Sequence, residues 1–420
     1  MVCPARRSPR RLMVAGLCLV AFGLAGCHAV SNKASVNTNA GNQLTIYSSL
    51  PLQGPEAADS QAIVNGEKLA LAQAQGAIGQ FRISYESLDD TKPSAAGVWN
   101  PDVTSSNAKA AAQDNSTIAY LGDLDSGASA ISLPLTNAAS ILQISPGSPY
   151  VGLTSSQDAG QDEPGRFYVN GQHTFGRLIP GDQVQAEAQA MLMHRLSVSN
   201  LYVINDQNPF ELSLAELVAG DAHLQGVNVI ADDGVSPDAT DYSGEVHKVL
   251  ASGADAVFFS GGAGPGSVRL WQQLAAADPH LILLGSDALA NAAFTSAIGA
   301  AVAHTYLTTP QLPLSLYPAA ARSVLREYAR AFGIPASAPA LYGYEAMNVT
   351  LQAIRAAGSR GNDRLAVVRA FFGIRDRRSV LGSYSVLASG DTTLSEYAVD
   401  RVVGGLPVFD FLLRPAPPAS

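Results

Sequence analysis

Hydrophobic and polar positions alternate along this chain in a regular series from about residue 44 onward. Short runs rich in β-branched and aromatic residues, typical of strands, cover residues 44–50, 81–88, 117–124, 141–145, 201–206, 227–235, 255–262 and 281–287. Between them, longer Ala- and Leu-rich stretches predict helices at about 60–74, 105–113, 128–139, 182–196, 211–224, 242–252 and 266–276. This order predicts parallel sheets that helices cover on both faces.

A loop divides the series into two halves. Residues 146–165 are rich in Gly, Pro, Ser and Asp, and loops of this length often mark a boundary or a functional site. Helices at about 318–332 and 343–357 follow, with strands at 381–387 and 396–404, which is too little for a third domain. We therefore predict an α/β protein of two doubly wound lobes. The predicted first lobe is 44–178 plus 310–380, the second is 179–309 plus 381–412, and 413–420 form a disordered tail.

The N-terminus has the pattern of an export signal. Four arginines, Arg6, Arg7, Arg10 and Arg11, precede an apolar run from Leu12 to Leu24 that is too short to span a bilayer. Residues 24–27, Leu-Ala-Gly-Cys, resemble the lipobox of bacterial lipoproteins. That resemblance implies a signal peptide over 1–26 and lipidation of Cys27. The residues that follow are small and polar, which predicts a flexible tether over 27–43. The alternative is a chance cysteine in a signal that is cut elsewhere.

The charge of the chain argues against nucleic-acid binding, and its cysteine content argues against disulfides. The chain has 26 basic and 35 acidic residues, a formal net charge of −9, and loss of the four signal arginines would leave 22 against 35. Such an acidic chain lacks the excess of basic residues that binds the phosphates of nucleic acid. Cys3 and Cys18 would leave with the signal, so we expect no disulfide.

Candidate binding residues lie where the predicted strands end, which is where open α/β sheets bind ligands. In the first half, residues 123–129 and 145–149 place serines and glycines at strand exits, the first at the start of a helix. Free N–H groups there suit a carboxylate, although Ser126 or Ser129 acting only as a helix cap is the alternative. In the second half, Asp287 follows an apolar strand, and it is either a helix cap or a ligand group.

Patterns for catalysis or cofactor binding are weak. Glycines at 262, 264 and 266, followed by Asp287, approach a dinucleotide-binding layout, but the second spacer is one residue short. The seven histidines are scattered, and neither HExxH nor G-x-S-x-G occurs. We therefore expect no metal, no cofactor and no enzymatic activity. Trp99 is either a core residue or a rim residue.

The chain from Leu44 to Phe411 resembles the periplasmic substrate-binding proteins of branched-chain amino acid ABC transporters, the type I Leu/Ile/Val-binding group. The order and spacing of several segments together carry this resemblance. They are residues 52–73, 140–148, 199–218, 238–261, 281–291 and 340–358.

The resemblance implies two lobes joined by three crossovers, with the ligand between them and closure by a hinge. It assigns the ligand's carboxylate to the first lobe, its ammonium to Asp287, and a packing contact to Phe210. The first-lobe residues so matched are Ser126, Gly127, Ala128, Ser129, Gly147 and Ser148. It also implies an ABC permease as partner, with the chain exported and lipid-anchored at the outer face of the membrane or periplasmic.

Three departures from the family pattern alter the expected ligand. Ala263 and Asp59 stand where the family often has aromatic residues, and Asp123 and Asp125 add negative charge to the presumed carboxylate loop. A wider, more acidic pocket is therefore expected. The main hypothesis is a solute receptor for an amino-acid-like, amide-like or cationic ligand. A sensor of the same fold and an exported enzyme are the alternatives.

Overall fold

The computed structural model describes residues 41–92, 99–299 and 303–418. The predicted signal peptide 1–26 and Cys27 lie outside the described residues, as does most of the tether.

Regular elements alternate along the described chain. The strands are β1 Gln43–Leu50, β2 Ala77–Ile78, β3 Phe81–Asp89, β4 Thr117–Gly122, β5 Leu142–Ser145, β6 Phe175–Arg177, β7 Asn200–Asn205, β8 Asn228–Gly234, β9 Ala256–Ser260, β10 Ile282–Gly285, β11 Thr305–Thr309, β12 Arg377–Arg378, β13 Ser383–Tyr384, β14 Tyr397–Val403 and β15 Leu406–Leu413. The helices are α1 Ala57–Gln73, α2 Pro101–Gln113, α3 Ser126–Ala138, α4 Asp182–Leu196, α5 Pro209–Leu224, α6 Ser243–Ser252, α7 Pro265–Ala277, α8 Ala292–Ile298, α9 Ala319–Phe332, α10 Ala338–Ala357 and α11 Arg364–Phe372.

Two large sheets organise these elements into two lobes. The first sheet has the order β2-β3-β1-β4-β5-β6 and is parallel except for β2. The second has the order β15-β14-β11-β10-β9-β7-β8. In this sheet β14 pairs antiparallel with β11 on one side and with β15 on the other. The predicted two-lobe α/β architecture is confirmed.

Burial explains why the central strands read as continuous apolar runs. Every residue of β4 and of β9 is buried, as expected for strands with helices on both faces. The first lobe's core joins β1, β4 and β5 to α1, α9, α10 and α11. The second lobe has two apolar clusters on the opposite faces of its sheet.

Three connections join the lobes. The chain leaves the first sheet after β6 through residues 178–181 and returns after β11 through 310–318. It crosses again between β13 and β14, through residues 385–396. Ligands of open α/β folds bind at the carboxyl ends of strands, so these connections bring two such edges face to face.

Sequence patterning missed several elements, most of them short. The described part of the chain has seven elements that were not expected, namely β2, β6, β11, β12, β15, α8 and α11, and the strand predicted at 381–387 reduces to the two residues of β13. Within 41–92, 99–299 and 303–418, no helix combines the length and apolarity that a membrane crossing requires.

Candidate ligand-binding site

A cavity of about 910 Å³ lies between the carboxyl ends of the two sheets. The first lobe contributes the start of α1, the β4–α3 loop and the loop after β5. The second lobe contributes the loops after β7, β9 and β10. The volume falls in the range of cavities that enclose a small molecule.

The N-terminus of α3 forms part of the first-lobe wall. Asp125 is the residue before the helix, but its side chain does not cap it. Ser126 does not cap it either, because its Oγ accepts a hydrogen bond from the backbone N–H of Tyr150 at 3.1 Å. The first turn of this helix therefore has no side-chain cap, and its residues Ser126 and Gly127 line the cavity, which favours an acceptor group of a ligand there.

Serines behind this wall hold its two loops together. Ser129 and Ser148 are fully buried, and their hydroxyls lie 2.8 Å apart. Ser129 Oγ also accepts from the N–H of Asp123 at 3.2 Å, while Ser148 Oγ donates to the carbonyl of Asp123 at 3.1 Å. The two side chains thus fix the β4–α3 loop against the loop that follows β5.

Asp123 is also behind the wall. Its carboxyl is fully buried and accepts hydrogen bonds from Tyr120 Oη at 3.0 Å and from Ser132 Oγ. Burial raises its pKa to about 7, against the lowering effect of these donors. Asp123 therefore supports the loop and does not line the cavity.

An aromatic pair from different lobes encloses Gly127. A Cβ on Gly127 would lie 2.5 Å from Cζ2 of Trp99 and 3.0 Å from Cε2 of Phe210. Phe210 of α5 also meets Tyr150 of the first lobe edge to face, with ring centroids 4.9 Å apart. The two lobes are therefore in contact beside the cavity.

Three carboxyls, Asp182, Glu211 and Asp287, form what we call the crossover cluster. Asp182 opens α4 directly after the first crossover, Glu211 lies in the first turn of α5, and Asp287 follows β10. Burial raises the pKa of Asp182 well above its usual value, and the charges of Asp287 and Glu211 raise it further. Burial also raises the pKa of Asp287, and that of Glu211 to about 7.

Three more carboxyls, Glu56, Asp59 and Asp125, form the first-lobe cluster. Burial, followed by the charge of Asp59, raises the pKa of Glu56 to about 7. Burial raises the pKa of Asp125 well above its usual value, with contributions from Glu56 and, across the cavity, from Glu211. Among the cavity-lining residues that the structure describes, Arg269 is the single cationic side chain.

A sequence model described as periplasmic binding protein matches residues 44–405. The chain belongs to this family. It is a family of solute-binding proteins and not of enzymes, which agrees with the expectation of no catalysis.

The relatives that this periplasmic binding protein matches include Leu/Ile/Val-binding protein homologues, in agreement with the sequence resemblance. A Leu/Ile/Val-binding protein homolog of Brucella melitensis is 28% identical over 241 residues, which is 57% of this chain and 63% of that relative. The chain thus spans less than two thirds of that relative's length. The leucine-binding protein of Thermotoga maritima superposes with a TM-score of 0.74 at 18% identity, over 89% of this chain and 99% of that one. A solute-binding protein of an ABC transporter from R. palustris, solved with benzoate, superposes with a TM-score of 0.70 at 17% identity over 89% and 97%.

Seven of the ten predicted binding residues line the cavity of this periplasmic binding protein. They are Asp59, Ser126, Gly127, Gly147, Phe210, Ala263 and Asp287. Three take a different place, because Ala128, Ser129 and Ser148 are fully buried behind the wall.

Sequence reasoning missed several lining residues. Glu56, Asp182 and Glu211 gave no signal, because each lies in or beside the first turn of a helix, where an acidic residue is ordinary. Trp99, left open between core and rim, lines the cavity. In the described part of the chain, no group of three or more His, Cys, Asp or Glu side chains has an arrangement that would hold a metal ion.

Proposed function

We propose that this protein captures a small amino-acid-like or amide-like solute between its two lobes and delivers it to an ABC permease. One observation carries the proposal, namely a cavity whose first-lobe wall offers uncapped N–H groups of α3 and whose second-lobe wall offers Asp287. A ligand with an acceptor at one end and an amine at the other binds both walls at once. Such a ligand favours the state in which the lobes are closed.

The proposed location follows from the family and from the N-terminal pattern. Periplasmic binding proteins work outside the cytoplasm, and Cys27 is proposed to carry the lipid that holds this chain at the outer face of the membrane. The family membership supports the location, whereas the lipobox at residues 24–27 is the support for the anchor.

Calorimetric titration of the full chain tests the proposal. The panel comprises L-leucine, L-glutamine, L-lysine, acetamide and sodium benzoate, each added to wild type and to Asp287→Asn. At least one amine or amide is expected to bind, and the variant should weaken the binding of an amine by about tenfold or more, because a buried cation loses its charged partner.

The matched control is Asp410→Asn, which removes an equal charge from an exposed position of β15. It should bind like wild type. The proposal fails if no amine or amide binds at millimolar concentration, or if benzoate alone binds. The role assigned to Asp287 fails if its replacement leaves amine affinity unchanged.

A further inference from the structure

The cavity wall has more carboxyl side chains than a zwitterionic ligand, with its single ammonium group, can pair with. The crossover cluster and the first-lobe cluster contribute six carboxyls, whereas Arg269 is the one cation that lines the cavity within the described residues. The guanidinium of Arg269 also binds the protein itself, since its Nη1 donates a hydrogen bond to the carbonyl of Ala239 at 2.7 Å. A ligand with one ammonium and one carboxylate would bring a single cationic group to these six carboxyls.

Asp182 gives a second and independent indication of a ligand. It is 4% exposed, yet its side chain lines the cavity. Its backbone N–H donates to the carbonyl of Pro149 at 2.9 Å, which holds the residue at the junction of the two lobes. Within the described ranges, no donor is placed on its carboxylate. A carboxyl on the wall of a cavity that has no donor from the protein can take one from a bound group.

Arg177, whose positive charge acts on Asp182, does not donate a hydrogen bond to its carboxyl. Arg177 is buried behind the site, and it lowers the pKa of Asp182 only against larger opposing effects. Its guanidinium donates to the carbonyls of Ser148 and Tyr150 at 2.9 Å each and pairs with Asp391 at 2.9 Å. Arg177 is therefore used by the protein's own loops.

The first-lobe cluster is similarly unsatisfied. One buried oxygen of Glu56 and one of Asp125 have no hydrogen-bond partner among the described residues. Glu56 precedes α1 and Asp125 precedes α3, so the two oxygens lie on the opposite lobe from Asp287 and Glu211. The acidic groups thus form two sets, one on each side of the same cavity.

We propose that the solute bound in this cavity carries two separate cationic groups on one carbon chain. The crossover cluster binds one group and the first-lobe cluster binds the other. The inference rests on the proposed function and specifies its ligand class. A basic amino acid and a simple diamine share this chemistry, and they differ in whether a carboxylate is present for the N-terminus of α3.

Titration of the full chain at neutral pH distinguishes these ligands. The probes are 1,5-diaminopentane, L-lysine, 1-aminopentane, L-leucine and calcium chloride. L-lysine, 1,5-diaminopentane or both should bind about tenfold or more tightly than L-leucine, because each places a cation at both clusters. Tighter binding of L-lysine than of 1,5-diaminopentane would identify a basic amino acid, and the reverse order a diamine.

Two variants test which carboxyl cluster binds each cationic group of the ligand. Asp182→Asn should weaken 1,5-diaminopentane about tenfold or more, by removing a partner of one cation. Glu56→Gln should weaken 1,5-diaminopentane more than it weakens 1-aminopentane, since only the diamine reaches both clusters. Asp410→Asn is the matched charge control, and thermal melting of each variant shows that it folds.

Each failure has a distinct meaning. Binding of L-leucine as tight as that of both dications overturns the inference and leaves the proposed function standing. Preference for calcium over the organic cations also overturns it, because the carboxyls would then serve a metal. If none of these five probes binds at millimolar concentration, the inference fails, and the proposed function then depends on the L-glutamine and acetamide titrations described above.

Discussion

At the scale of single residues, the two tryptophans lie in different environments, one at the cavity and one in the core of the second lobe. Trp99 and Phe210 occupy the space where a side chain at residue 127 would extend, so the ring of Trp99 forms part of the cavity wall. The other tryptophan, Trp271, is fully buried in the second lobe, where its Nε1 donates to Thr305 Oγ1 at 2.9 Å. The two indoles therefore report on different places.

Ligand binding is expected to change the fluorescence of Trp99 and to leave that of Trp271 nearly constant. Removal of water from the cavity alters the environment of an indole on its wall, whereas a fully buried indole has none to lose. Trp99→Phe should therefore abolish most of the ligand-dependent emission change, and Trp271→Phe should retain it. If Trp99→Phe still shows the full change, the tryptophan of the cavity wall is not the reporter.

Residue positions after strands were accessible to sequence reasoning, but side-chain direction was not. Asp287 and Phe210 follow predicted strands, and both line the cavity. Ser129 and Ser148 follow strands too, yet each turns inward to bind the other loop. Asp182 was missed for a second reason besides its place in the first turn of a helix, because the three-residue strand β6 before its crossover has too little pattern to detect.

At the scale of elements, α1 and α10 make an unusually close backbone contact in the first lobe. A Cβ on Gly66 would lie 2.1 Å from the carbonyl oxygen of Ala340, and one on Gly343 would lie 2.1 Å from that of Ile63. Neither backbone can move without moving a whole helix. Both glycines therefore stand where the helices cross, despite the cost of glycine inside a helix.

Gly66→Ala should destabilise the protein by about 1–3 kcal/mol, because the methyl group must separate two packed helices. The matched control is Gly220→Ala in α5, where no atom lies within 4 Å of the added Cβ. That change should be neutral or stabilise by up to about 1 kcal/mol through helix propensity. Urea unfolding measures both free energies, and equal effects of the two substitutions would contradict the packing argument.

Long periodic elements were predictable, while short ones depended on tertiary contacts. The predicted helix 60–74 corresponds to α1, and the predicted strand 117–124 contains β4. β11 follows an Ala-rich segment and was not recognised, although it pairs with β10 and β14 in the second sheet. A strand of this length is defined by its neighbours more than by its own composition.

At the scale of the whole molecule, the unliganded protein retains protons on buried carboxyls near neutral pH. Burial raises the pKa of Glu56, Asp123 and Glu211 to about 7 and that of Glu67 and Asp90 to about 8. Their ordinary values are 4.5 for Glu and 3.8 for Asp. At pH values between the ordinary and the raised pKa, the folded state binds more protons than the unfolded chain. The free energy of unfolding therefore falls as pH rises through this range.

The unliganded protein should therefore melt at a higher temperature at pH 5 than at pH 8, by roughly 3 °C or more at constant ionic strength. Carboxyls with lowered pKa values, such as Asp89 and Asp114, have the opposite effect on stability, but only below about pH 4, which is outside the range compared here.

Glu67→Gln should flatten the pH dependence of the melting temperature, because Glu67 is fully buried and accepts one hydrogen bond from Tyr85 at 2.5 Å. The exposed Glu86→Gln is the control and should keep the slope of wild type. An equal or higher melting temperature at pH 8 would show that these carboxyls are ionised in the folded protein, and that the acidic interior is compensated in some other way.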